Sequence, residues 1–109
     1  MKRVMIKTTY HEIVVALNPA TSNDTVQTFL LYASNGGYDS VPFSDVITVG
    51  TNGLIFFKAM DSEGLEYSVD GFVQSGQAVI EAIQAAENPP VGVEPDIAII
   101  LQVDYMVQT

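Results

Sequence analysis

The 109-residue chain contains no cysteine and no tryptophan, a single histidine, and four basic residues against thirteen acidic ones. Without cysteine, disulfides, thiol nucleophiles and cysteine-ligated zinc are all excluded. His11 stands alone, so a metal site built on two or three histidines cannot form within one chain. No Gly-x-Ser-x-Gly elbow surrounds a serine that His11 would activate, and it reads as an ordinary edge-strand residue. No apolar run reaches the length of a membrane span. Lys2-Arg3 resembles the opening of a signal peptide, but Lys7, Thr8, Thr9, His11 and Glu12 interrupt any apolar region behind it. The expectation is a chain with no signal peptide and no membrane segment, resident in the cytoplasm or in a virion.

Basic charge is scarce and confined. Lys2, Arg3 and Lys7 fall in the first seven residues, so beyond them thirteen carboxylates face Lys58 alone, and 13 − 1 leaves a net of −12. Such a surface repels phosphates and argues against direct nucleic-acid binding. It suits solubility, a basic protein partner, or mimicry of a polyanion. Charged residues of both signs make up only 16% of the chain while 48% is hydrophobic, against about 25% charged in an ordinary soluble domain. One small domain cannot hide that much apolar surface in its own core, so assembly as a homo-oligomer or on a larger protein body is expected.

What the chain does have is turn chemistry placed around one stretch, Asp45 to Val73. Asn52-Gly53 fits a two-residue hairpin turn that needs positive φ, and Asp61-Ser62-Glu63-Gly64 ends on the glycine a three-residue loop requires. Three antiparallel strands follow. The second loop sets Ala59 against Tyr67 and Phe57 against Val69, and the first sets Val49 against Phe56. One face then collects Ile55, Phe57, Ala59, Leu65, Tyr67 and Val69 as core. Leu54, Phe56, Lys58, Met60, Glu66, Ser68 and Asp70 share the other face, half apolar and half charged.

Around this meander the chain is read as a single domain over 1–109. Arg3 to Leu17 is extended and rich in Val, Ile and Thr, with a polar break at Thr8 to Glu12. Residues 25–33 carry Val26, Phe29, Leu30 and Ala33 at helical spacing, but β-branched and aromatic residues are weak helix formers and the outer face would hold no charge, so the balance favours a strand. Asn35-Gly36-Gly37 is a turn; no Gly-Lys-Ser/Thr follows to make a phosphate cradle. Ser75 to Asn88 reads as the one clear helix, with a stripe of Val79, Ala82, Ile83 and Ala86 laid across the meander's core face, and Pro89-Pro90 ends it. After a proline-stiffened linker, Asp96 to Gln108 alternates as a long strand. Ile97, Ile99, Leu101, Val103, Tyr105 and Val107 lie on its core side, with Ala98, Ile100 and Met106 on the reverse.

The resulting expectation is an α+β, strand-rich fold: a mostly antiparallel sheet system, a three-stranded meander at about 45–73, one helix at about 75–88 and a long C-terminal strand. No catalytic, metal-binding or cofactor-binding residues are expected. Leu54, Phe56, Met60, Ile100 and Met106 are the candidate interface residues, and Glu63, Glu66 and Asp70 a candidate acidic cluster. The calcium-loop reading of Asp61 to Gly64 fails because the glycine comes too early. Few charges, Thr/Asn/Gly-rich turns and the lack of cysteine and tryptophan resemble small virion proteins of bacteriophages, such as capsid decoration or tail components. The function expected is therefore a non-enzymatic structural or interaction module that docks on protein partners. The alternative is an acidic inhibitor, a DNA mimic blocking a basic groove on a nucleic-acid enzyme.

Overall fold

The computed structural model describes residues 1–107. Its elements in chain order are β1 (Arg3–Thr8), β2 (Glu12–Leu17), α1 (Asn23–Ser34), β3 (Val41–Pro42), α2 (Phe43–Val46), β4 (Ile47–Val49), β5 (Leu54–Met60), β6 (Glu66–Ser75), α3 (Gln77–Glu87) and β7 (Ile99–Met106). All seven strands belong to one sheet in the order β3-β7-β1-β2-β6-β5-β4, every pair antiparallel, curled into a half-barrel. This corrects the expected fold: one sheet of seven strands with three helices replaces a three-stranded meander under a single helix.

The β5–β6 register is the one the second turn dictates. Gly64 takes φ +82°, its N–H donates to the Asp61 carbonyl at 3.0 Å, and Phe57 pairs with Val69 and Ala59 with Tyr67. The first turn differs by one residue. Asn52 and Gly53 do have positive φ, but Gly50 N–H bonds to the Leu54 carbonyl at 2.8 Å, so the loop holds Thr51, Asn52 and Gly53. Thr48 therefore faces Phe56, and Val49 faces Ile55. One extra loop residue moves every side chain of β4 to the opposite face. At Gly71, where β6 bonds to both neighbours, an added Cβ would stand 2.4 Å from the Ala16 carbonyl oxygen, so only glycine allows the strands to meet.

Residues 25–33 are helical, not extended. Ser22 Oγ accepts from Thr25 N–H at 3.2 Å, and the buried stripe is Val26, Phe29 and Ala33. Phe29 lies 5.0 Å from the Phe57 ring and 6.0 Å from Tyr38. Propensity costs of a few tenths of a kcal/mol per residue are outweighed by burying one such ring, which contributes about 1.5–3 kcal/mol. Thus α1 occupies the position over Phe57 that was expected of the later helix. That later helix, α3, packs against β2 instead, starts after Gly76 rather than Ser75, and buries Ile80 and Ile83 while Ala82 is exposed.

The C-terminal strand also departs from expectation. It starts at Ile99, and a register shift where β7 passes Lys7 and Thr8 sets Ile100 against Thr8 but Gln102 against Lys7. Leu101 is the extra residue of this bulge, which inverts the phase of Ala98 and Ile100 before it, while Val103 beyond it is buried on the expected core side. Ile100 and Ala98 are fully buried, whereas Ile97, Leu101 and Tyr105 are exposed. The expected end of the strand at Gln108 lies outside the described residues.

Candidate functional site

The half-barrel has an inner face filled by the core and an outer face on β4, β5 and β6 that no helix covers. Alternation fixes its membership. Ile55, Phe57, Ala59, Val69 and Gly71 point inward and are buried, so Leu54, Phe56, Lys58 and Met60 point outward, opposite Phe72, Asp70, Ser68 and Glu66 in turn. Phe56 is 37% and Phe72 47% exposed, and Thr48 of β4 borders Phe56. Two exposed phenyl rings with Leu54 beside them form one apolar strip on a rigid hairpin.

Charge is arranged around the strip. Lys58 Nζ lies 3.6 Å from Glu66 Oε1, both well exposed. Asp70 sits directly across from Phe56, and Asn18 Nδ2 donates to its Oδ2 at 2.9 Å while Asn18 N–H donates to the Asp70 carbonyl at 3.0 Å. The β2–α1 loop thereby fixes the Asp70 carboxylate, which makes no ion pair within 4 Å among the described residues. A cleft of about 250 Å³ opens at the Lys58 end, lined by Tyr32, Asp45, Val46, Lys58, Met60 and Glu66. Beneath it, the buried Tyr38 hydroxyl donates to the Lys58 carbonyl at 2.8 Å. Burial pushes the Tyr38 phenol far above its usual range, with the neighbouring Tyr32 and Tyr67 adding to the shift, so it stays a donor that holds β5 from the inside.

The structure brings only some of the sequence candidates together. Leu54, Phe56 and Met60 share the outer face of β5, and Glu66 and Asp70 share that of β6. Ile100 is in the core, so it offers no surface, and Met106 is half-buried opposite Arg3 on a different part of the sheet. Glu63 is at the exposed turn tip, where Asp61 Oδ1 accepts its N–H. Glu66 and Asp70, four residues apart on one strand, are separated by about 13 Å, so the three acids form no cluster. His11 is exposed in the β1–β2 turn. Among the described residues no three His, Asp or Glu side chains gather to hold a metal, and no helix is long and apolar enough to cross a membrane.

Sequence reading missed Phe72, although extending the β5–β6 register from the second turn places it outward beside Leu54. It also missed Asn18, whose bond to Asp70 spans 52 positions and leaves no local trace.

No protein-family model matches this sequence, and no curated protein does either. Solved structures do. A cyclophilin-type peptidyl-prolyl cis-trans isomerase of Cryptosporidium parvum is similar at a TM-score of 0.66 and 12% identity, with 99% of each chain covered. The same isomerase crystallised in the presence of the dipeptide Ala-Pro is similar at a TM-score of 0.64 and 12% identity, covering 97% of this chain and 99% of that one. Both solved structures are enzymes, and this likeness of fold overturns the non-enzymatic, virion and DNA-mimic expectations, which rested on composition. This chain has the fold of the cyclophilin-type isomerases.

Proposed function

We propose that the protein is a peptidyl-prolyl cis-trans isomerase that takes an extended Xaa-Pro segment across the outer face of β4, β5 and β6. The observation that carries this is the end-to-end likeness to cyclophilin-type isomerases, in which 97–99% of both chains align.

The chemistry demands little of the protein. Rotation about an amide C–N bond breaks no covalent bond but must overcome about 18–20 kcal/mol of lost resonance. A twisted amide is less dipolar than a planar one, so moving the bond from water onto an apolar strip favours the twisted state. Phe56, Leu54 and Phe72 supply that strip. As the prolyl nitrogen loses conjugation its lone pair localises and accepts a hydrogen bond. The Lys58 ammonium, beside Phe56 on the same row, is the charged donor this face offers.

The test is exchange spectroscopy on a short Ala-Pro peptide, in which added protein accelerates cis/trans interconversion. Phe56→Ala and Lys58→Met each lower the rate while leaving the circular dichroism spectrum intact. No acceleration at millimolar peptide overturns the proposal, and so does binding at this face without acceleration.

A further inference from the structure

Resting on that reading, we infer that the preferred substrate carries a lysine or arginine beside the proline, with Asp70 as the residue that selects it. The outer face holds two carboxylates, Glu66 and Asp70, against one ammonium, Lys58, and Asp45 of α2 lines the cleft at the Lys58 end. Lys58 is engaged by Glu66 at 3.6 Å. Asp70 is different: it stands across from the exposed Phe56 ring, is held by Asn18 and has no cationic partner within 4 Å among the described residues.

A partly exposed carboxylate beside two phenyl faces fits the head and stem of a basic side chain. The charge pairs with Asp70, the guanidinium or ammonium lies against a ring, and the aliphatic stem covers Phe56 or Phe72. Asn18 already fixes the carboxylate, so little ordering cost remains for binding. The surrounding net charge of −9 adds attraction at a distance. An acidic flanking residue at the same place meets repulsion from Asp70. By the same reasoning the chain's own exposed Glu94-Pro95-Asp96 stretch is a poor occupant.

The experiment compares two peptides that differ in one residue, Ala-Ala-Pro-Lys and Ala-Ala-Pro-Glu with capped ends, by exchange rate and by titration. The lysine peptide should bind and turn over about three- to fivefold better at low salt, the preference shrinking as salt rises. Asp70→Asn should bring the ratio towards one, and Asp70→Glu should keep a preference. If both peptides turn over equally, the charge selection is overturned while the isomerase reading stands. If neither binds nor turns over, both fall.

Discussion

Strands β5 and β7 carry the same kind of apolar alternation, yet only β5 converts it residue by residue into burial. In β5, Ile55, Phe57 and Ala59 are inside and every other residue is outside or at the margin. In β7, Ile100 and Val103 are inside while Leu101 and Tyr105, which alternate with Val103 in the sequence, are exposed. The strands differ in what fixes their phase. A tight turn with Gly64 at positive φ leads from β5 into β6, whereas β7 follows a long exposed stretch through Pro89, Pro90 and Pro95 and contains a bulge. Alternation announces a strand; its phase comes from a neighbouring turn or from a partner distant in sequence.

The strongest way to break this comparison is to place a charge at the inward residue before the bulge or at the bulged residue itself. Ile100→Lys should unfold the protein, because an unpaired ammonium in the interior costs several kcal/mol, whereas Leu101→Lys should cost less than about 1 kcal/mol. Urea denaturation followed by circular dichroism reads both. Uninterrupted alternation demands the reverse ranking, so a reversal would remove the bulge.

The same contrast within β5 is smaller. Phe57, fully buried against Phe29, should lose about 3–5 kcal/mol on truncation to alanine. Phe56, one residue along and partly exposed, should lose less than about 1 kcal/mol yet weaken Ala-Pro peptide binding. Equal midpoints for the two variants would show that the inner and outer rows are misassigned.

How much was legible follows the same division. The β5–β6 pairing could be read because Asp61 to Gly64 encodes it locally, and with it the outward placement of Leu54, Phe56, Met60, Glu66 and Asp70. The half-barrel could not, because it rests on β1 joining β7 and on β2 joining β6, contacts that no turn specifies. Helix α1 was misread because Thr25, Val26, Thr28 and Phe29 disfavour a helix locally, while the ring of Phe29 decides for one only once Phe57 and Tyr38 are in place. Function was read wrongly for a related reason. An apolar excess looks the same whether it covers an interface or lines a substrate face, and the likeness to enzyme structures became visible only in the fold.

Tyr38 tests whether the core side of β5 supports the outer side. Tyr38→Phe removes the hydroxyl that donates to the Lys58 carbonyl and should cost about 1 kcal/mol of stability. Its phenol, raised above the usual 10.0 mainly by burial, is more readily ionised in the unfolded chain. The wild type therefore keeps this contribution in full below pH 10 and loses it as the pH climbs beyond, because the folded state is then the one that holds the extra proton. Tyr38→Phe should flatten the alkaline decline, and identical alkaline profiles would show that Tyr38 does not govern it.

The smallest effect is expected on the outer row itself, where Lys58 and Glu66 meet at 3.6 Å with side chains 54% and 61% exposed. Water and salt screen such a pair, and ordering two long side chains offsets most of its attraction, so a double-mutant cycle with Lys58→Met and Glu66→Gln should return a coupling of at most about 0.5 kcal/mol. The weakness of the pair matters for the face it lies on. For the isomerase function we propose, an ammonium held loosely by Glu66 could turn towards a prolyl nitrogen at little cost, whereas one locked into a strong pair could not. Glu66→Gln should therefore leave stability unchanged within error and alter the isomerisation rate by less than Lys58→Met does. A coupling of several kcal/mol would instead make Lys58 a structural residue and move the donor role elsewhere on β4 to β6.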